Sequence, residues 1–245
     1  MNLKGYTFNS KEDFVYYIHQ LIIGITNTLK RYERQINELG KYIEEKDLIA
    51  RPKRVVSTDI CENYESMLNY TSSYLMNLFG DQANFGMSYQ NYRRHVVKKS
   101  KELNLDFVTL TEEQKEELNE ITTSRDWGSH VPVSLLHSTS HKALNLTVDA
   151  NNPIKVAEFE KYQGLWLVSL YDVNFRSLEG LKGMFELVKQ DYEKLTGNPC
   201  RIVIQKYPIR NINDLMIPII SSGIQRKEIK SIEDIQNIYK GEREV

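Results

Sequence analysis

The sequence predicts an all-α fold, a helical bundle over residues 1–198 with a small C-terminal α/β appendage over residues 199–245. Three observations carry this reading. Apolar residues recur at spacings of three and four, the period of a helix that buries one face. Residues that start and stop helices bracket those periodic stretches. The chain then changes character after Gly197-Asn198-Pro199, where a glycine and a proline end the last long periodic stretch and a short β-branched run follows.

Taken in order, Phe14, Tyr17, Ile18, Leu21, Ile22, Ile25, Leu29, Tyr32, Ile36, Leu39 and Ile43 define a long amphipathic helix. Ser10 is its N-cap with Asp13 behind it, and Gly24 and Gly40 are candidate bends. A second helix spans 58–79 and stops at Gly80, and a third spans 88–103. The fourth opens on Thr111-Glu112-Glu113-Gln114, which fits a capping box, and carries Leu118 and Ile121 forward. Further helical patterns cover 132–146, 154–171 and 177–195. In the appendage, 201–207 reads as a strand, 215–220 contains Pro218 and so belongs at an edge, and 231–239 reads as a short helix capped by Ser231.

Composition narrows the function. With 40% hydrophobic and 27% charged residues the 245-residue chain is expected to fold throughout. Lys+Arg number 32 against Asp+Glu 33, a formal charge of −1, so no global positive field draws in nucleic acid and any such contact must be local. The two cysteines, Cys61 and Cys200, form no CxxC or metal-finger spacing, which points to a reducing cytoplasm. The apolar runs 21–25 and 215–220 are too short to cross a bilayer, and the polar N-terminus has no signal-peptide core, so neither export nor membrane anchoring is expected. Nucleotide-driven enzymes with a GxxxxGK[ST] loop, a GxGxxG turn or a kinase signature are disfavoured, as is a GxSxG hydrolase.

The densest chemistry lies in Arg125-Asp126-Trp127-Gly128-Ser129-His130. An imidazole titrates near neutrality and can move protons, and a guanidinium grips a phosphate with paired donors without losing its charge. Two local geometries are open. Gly128 and the Val131-Pro132 pair favour a break, with Arg125 ending one helical segment and His130 starting the next. A continuous helix would instead bring Asp126 and His130, four apart, onto one face.

These residues resemble the motif of the ribonuclease members of the HEPN superfamily, in which an arginine, commonly followed by Asn, Asp or His, precedes a histidine by four to six intervening residues. Four intervene here, with Asp126 in the second position. The resemblance covers these six residues and their helical context. It implies an up-and-down bundle of four or five helices that homodimerises to bring two motifs into one cleft, and metal-independent RNA cleavage without cofactors. His130 would then act as general acid or base, Arg125 would stabilise the phosphate, Asp126 would orient one of them, and Trp127 would offer a face to a base. It also implies a bacterial antiviral, abortive-infection or toxin role, with a separate antitoxin or regulator chain. A capping and salt-bridge cluster joining two helices is the structural alternative, and a non-catalytic protein-interaction or RNA-binding module the functional one.

Elsewhere, Arg93-Arg94-His95 with Lys98, Lys99 and Lys101, preceded by Tyr89 and Tyr92, forms the densest basic stretch. Tyr89, Tyr92, Arg93, Arg94 and Lys98 are its candidate RNA contacts, against the alternative of a solvated helix face. His137 and His141 share a helical face but lack the glutamate of zinc proteases, Ser138 standing in its place, so no metal site is expected.

Overall fold

The long first helix organises the bundle. It is α1 (Lys11–Glu45), opened by a complete capping box in which Ser10 Oγ accepts from Asp13 N and the Asp13 carboxylate accepts from Ser10 N. Every apolar position picked out by its three-four spacing, from Phe14 to Ile43, is buried. It runs unbroken through Gly24 and Gly40. This computed structural model describes residues 6–83, 86–129, 153, 158–204, 217–219 and 224–226, with backbone alone at 126–129, 217–219 and 224–226.

A short strand β1 (Val55–Ser57) leads into α2 (Thr58–Gly80), followed by α3 (Tyr89–Leu103), capped by Ser88, and α4 (Glu112–Ser129). At the start of α4, Thr111 N donates to Gln114 Oε1 and Gln114 N donates to Thr111 Oγ1, the reciprocal pair the sequence predicts. Strand β2 (Lys161–Gln163) precedes α5 (Leu165–Thr196), and β3 (Ile217–Ile219) pairs with β4 (Ile224–Arg226).

The helices pack antiparallel around α1. Tyr42 meets Tyr64 of α2, while near the other end of α5 from its start His19 and Ile22 share a cavity wall with Tyr192; Gly40 sits against Tyr171 at the start of α5. Buried Tyr32 of α1 donates to Asn174 Oδ1 of α5 at 2.6 Å. Leu68, Leu75, Leu78 and Phe79 of α2 complete the core, each such side chain contributing roughly 1.5–3 kcal/mol by leaving water. Helix α4 packs on α2 and contributes Leu118. No helix among the described residues is long and apolar enough to cross a membrane.

Three sequence expectations change. The helix expected over 154–171 is interrupted, because β2 pairs antiparallel with β1 (Val55↔Gln163, Val56↔Tyr162, Ser57↔Lys161) and α5 starts afresh at Leu165. Backbone bonds from Gly164 N to Arg54 O and Leu165 N to Pro52 O weld that start to the connector after α1. Helix α5 then runs as one piece to Thr196, absorbing the expected 177–195 helix, and ends on Gly197 at φ 71°, where glycine avoids the penalty of a side chain. The strand expected over 201–207 is absent over 201–204, which carries no ladder. By contrast β3 contains Pro218 within a two-stranded ladder in which both strands are edges, as expected. The expected helices over 132–146 and 231–239 lie outside the described residues, as do 205–207.

Candidate functional site

Residues 125–129 of the motif form the C-terminal end of α4, and the way α4 meets α2 positions Arg125. At Gly80, the last residue of α2, an added Cβ would come within 2.9 Å of Thr122 Oγ1 and 3.0 Å of its Cα. Only glycine permits that approach. It sets the final turns of the two helices side by side, and Arg125 lies one turn beyond Thr122.

There the Arg125 guanidinium is engaged by α2 and its cap. Its Nε donates to Asn77 Oδ1 at 2.8 Å, and an Nη donates to Asp81 Oδ1 at 3.2 Å. Both partners of the ion pair keep partial solvent access, 22% for Arg125 and 19% for Asp81. Asp81 also accepts from Ala83 N at 3.0 Å, which folds the chain after α2 around its carboxylate. The result is a planar cation oriented from two sides near the end of α4, a geometry suited to gripping a phosphate edge-on. Asn77 and Asp81 belong to no motif in the sequence. Lying 48 and 44 residues before Arg125, they leave no local pattern that would reveal them.

Helix α4 continues through Gly128 to Ser129, and the break expected near His130 and Val131-Pro132 lies outside the described residues. A glycine costs a helix interior only about 1 kcal/mol relative to alanine, less than packing against α2 returns. Of the other motif residues, Asp126 and Trp127 are placed by backbone alone, on this helix. His130, His137 and His141 lie outside the described residues. Among the described residues, no three of His, Cys, Asp and Glu converge as a metal site.

The basic stretch on α3 divides in two, which corrects the expectation of a single RNA-contacting group. Tyr89 and Tyr92 are fully buried, so no base can stack on them. Arg93 points inward as well. Its Nη1 donates to both oxygens of Asp191, at 3.0 and 2.8 Å, and its guanidinium lies over the Phe107 ring. Asp191, itself completely buried on α5, also accepts from Tyr89 Oη at 2.7 Å and Val108 N at 2.7 Å. Burial first, and the Asp191 charge second, push the Tyr89 and Tyr92 hydroxyls well above their ordinary range.

The remaining candidates face out. Arg94 and Lys98 are exposed, together with Val97 and Lys101. Lys99 donates to Phe8 O and His95 stacks on Phe8 with centroids 4.8 Å apart, tying α3 to the segment before α1. Burial, then the charges of Arg94, Lys98 and Lys99, depress the His95 pKa. The helical period itself separates the faces, with 89, 92, 93 and 96 inward and 90, 94, 97, 98 and 101 outward. Residue density alone hides that division.

A separate cavity of about 450 Å³ lies between α1 and residues 200–204, lined by Ile22, Ile23, Thr26, Tyr192 and Cys200 among others. It shares no residue with the Arg125 cluster. No family model matches the chain, and no curated protein or solved structure matches it.

Proposed function

We propose that the chain is a metal-independent endoribonuclease of the HEPN type. The observation that carries the reading is the Arg125 guanidinium, held by Asn77 and Asp81 near the end of the helix that leads directly to His130. In the proposed reaction His130 takes the proton of a ribose 2′-hydroxyl, and that oxygen attacks the adjacent phosphorus. A 2′,3′-cyclic phosphate forms, the P–O5′ bond breaks, and the leaving 5′-oxygen takes up a proton from an imidazolium, His130 or its counterpart in a second copy. Arg125 neutralises the charge that builds on the phosphoryl oxygens. Asp126 orients the imidazole or the guanidinium, and Trp127 supplies a stacking face.

The resemblance of the six-residue motif extends the proposal to a cytoplasmic homodimer with a composite site, to an antiviral, abortive-infection or toxin role, and to restraint by a separate antitoxin or regulator chain. The helical fold around the motif is compatible with it. Asp126 stands out, since a carboxylate beside an RNA phosphate is electrostatically adverse unless a cation or a proton offsets it.

The test is incubation of purified protein with single-stranded RNA in EDTA, beside His130→Ala and Arg125→Ala. Wild type is expected to leave cyclic phosphate ends, and each variant to lose on the order of 100-fold or more in rate with its fold intact by circular dichroism. Equal cutting by wild type and both variants, or no cutting by any, overturns the reading. A second reading, a non-catalytic helical interaction module, is favoured by the Asp81 ion pair, which already engages the Arg125 charge. It predicts that Arg125→Ala loses stability and no activity.

A further inference from the structure

We propose that the outward face of α3 is a binding site for the phosphodiester backbone of single-stranded nucleic acid, formed by Arg94, Lys98 and Lys101 together with the cavity beside Gln82 and Gln90. This rests on the ribonuclease reading for the identity of the strand, and it names the surface that strand follows beyond Arg125.

The cavity encloses about 440 Å³ and is lined by Gln82, Gln90, Asn91, Arg93, Arg94 and Val97. It is built on fixed parts. Asn91, 4% exposed, donates from Nδ2 to Ala83 O at 3.3 Å and Gly86 O at 2.9 Å, locking α3 to the loop after α2. The Oδ1 of the same side chain accepts from Arg94 Nη2 at 2.6 Å and aims the guanidinium at the cavity rim. Arg93 lines the wall with its charge met by Asp191, and Arg94, exposed to solvent, lines it beside Arg93.

From Arg94 the cations continue along the helix. At about 100° per residue, Gln90, Arg94, Val97, Lys98 and Lys101 fall within an arc of about 100°, one solvent-facing stripe. At a rise of about 1.5 Å per residue, Arg94, Lys98 and Lys101 follow one another at axial steps of about 6 and 4.5 Å. That is a ladder of positive charge suited to a regularly charged polymer. No ion pair among the described residues includes Lys98 or Lys101. In a chain of formal charge −1 this is a local concentration of cations, and a local one is what the overall balance demands of a nucleic-acid site. The two glutamines can donate to phosphate or base edges, and exposed Val97 gives a sugar or base an apolar rest.

The stripe also connects to the candidate centre. Asp81 holds Arg125, and its chain neighbour Gln82 lines the cavity, so one loop touches both.

The experiment measures binding of a fluorescent single-stranded DNA oligonucleotide across a salt series, because DNA has no 2′-hydroxyl and cannot be cut by the proposed reaction. Three phosphate contacts contribute about −2 to the slope of log K against log salt. The triple variant Arg94→Gln, Lys98→Gln, Lys101→Gln is expected to remove that contribution and to weaken binding at least tenfold at low salt. A charge-matched α1 triple, Lys30→Gln, Arg34→Gln, Lys41→Gln, is expected to bind as wild type. Should the α3 triple fail to fold, Lys101→Gln alone is expected to reduce the slope by about 0.7. Wild-type binding by the α3 variants, an equal loss in the α1 variant, or competition by polyglutamate as effective as unlabelled DNA overturns the site. The two readings separate cleanly. Binding on α3 without RNA cleavage keeps this site and removes the nuclease, and cleavage with unaltered binding by the α3 variants does the reverse.

Discussion

Arg93 and Arg125 each meet an aspartate far away in sequence, and the two pairs are built to opposite ends. Arg93 and Asp191 are 11% and 0% exposed, and the carboxylate accepts from a guanidinium, a tyrosine hydroxyl and a backbone amide at once. Arg125 and Asp81 are 22% and 19% exposed and pair at 3.2 Å. A deeply buried pair is tolerable only when every lone pair and proton is used, and such a pair serves to fix helices. The half-open pair pays less desolvation and leaves its cation within reach of a ligand. Burial, rather than the identity of the residues, separates a lock from a candidate site.

The sharpest way to break this contrast is to remove each aspartate. Asp191→Ala strands the Arg93 charge beside Tyr89 and Tyr92 and is expected to cost about 3–5 kcal/mol in urea unfolding, enough to threaten the fold. Asp81→Ala is expected to cost on the order of 1 kcal/mol, because solvent reaches both partners, while lowering any RNA cleavage by loosening Arg125. Equal stability losses would make Arg125 a second lock and favour the non-catalytic reading.

The next effect comes from pH. Burial drives the Tyr17 and Tyr32 hydroxyls up to about 12, and Tyr89 and Tyr92 also upward. A group whose folded pKa lies above its unfolded value stabilises the fold fully below the unfolded value, near 10 for tyrosine, and that contribution fades as pH rises toward the folded one. The urea midpoint is therefore expected to hold to about pH 9 and fall between about 10 and 12. Tyr17→Phe removes one ionisable hydroxyl, along with its bonds to Ser88, and is expected to make the fall shallower from a lower starting midpoint. An unchanged profile in that variant would move the alkaline sensitivity to Tyr32 and the Asp191 cluster.

Much of this arrangement was legible in the sequence, and the failures share a cause. The face of α1, the N-cap at Ser10 and the capping box at Thr111 were visible because they are local or periodic. Strands β1 and β2 were not, since three residues such as Val55, Val56 and Ser57 carry no period, and their partners lie about a hundred positions away. Tyr89, Tyr92 and Arg93 looked like part of a basic groove because composition counts residues without asking which way a helix turns them. Asp191 resembled any charged residue of a surface helix until α3 was laid against it. Asn77 and Asp81 were silent for the same reason. Contacts made across the bundle write nothing into neighbouring positions.

The smallest predicted effect separates a local clamp from a helix that moves as a whole. Thr111 caps α4 fourteen residues before Arg125, about 21 Å along the axis. Thr111→Ala leaves the first-turn amides to water and is expected to cost about 1 kcal/mol by thermal unfolding. If Asn77 and Asp81 fix the guanidinium, fraying at the far end leaves it in place, and RNA binding and any cleavage by Thr111→Ala stay at wild-type levels. A loss of function out of proportion to that small destabilisation would mean that the register of α4 against Gly80, set along its whole length, holds Arg125. The half-open pair would then owe its geometry to the helix, as the buried pair at Asp191 owes its own to the core.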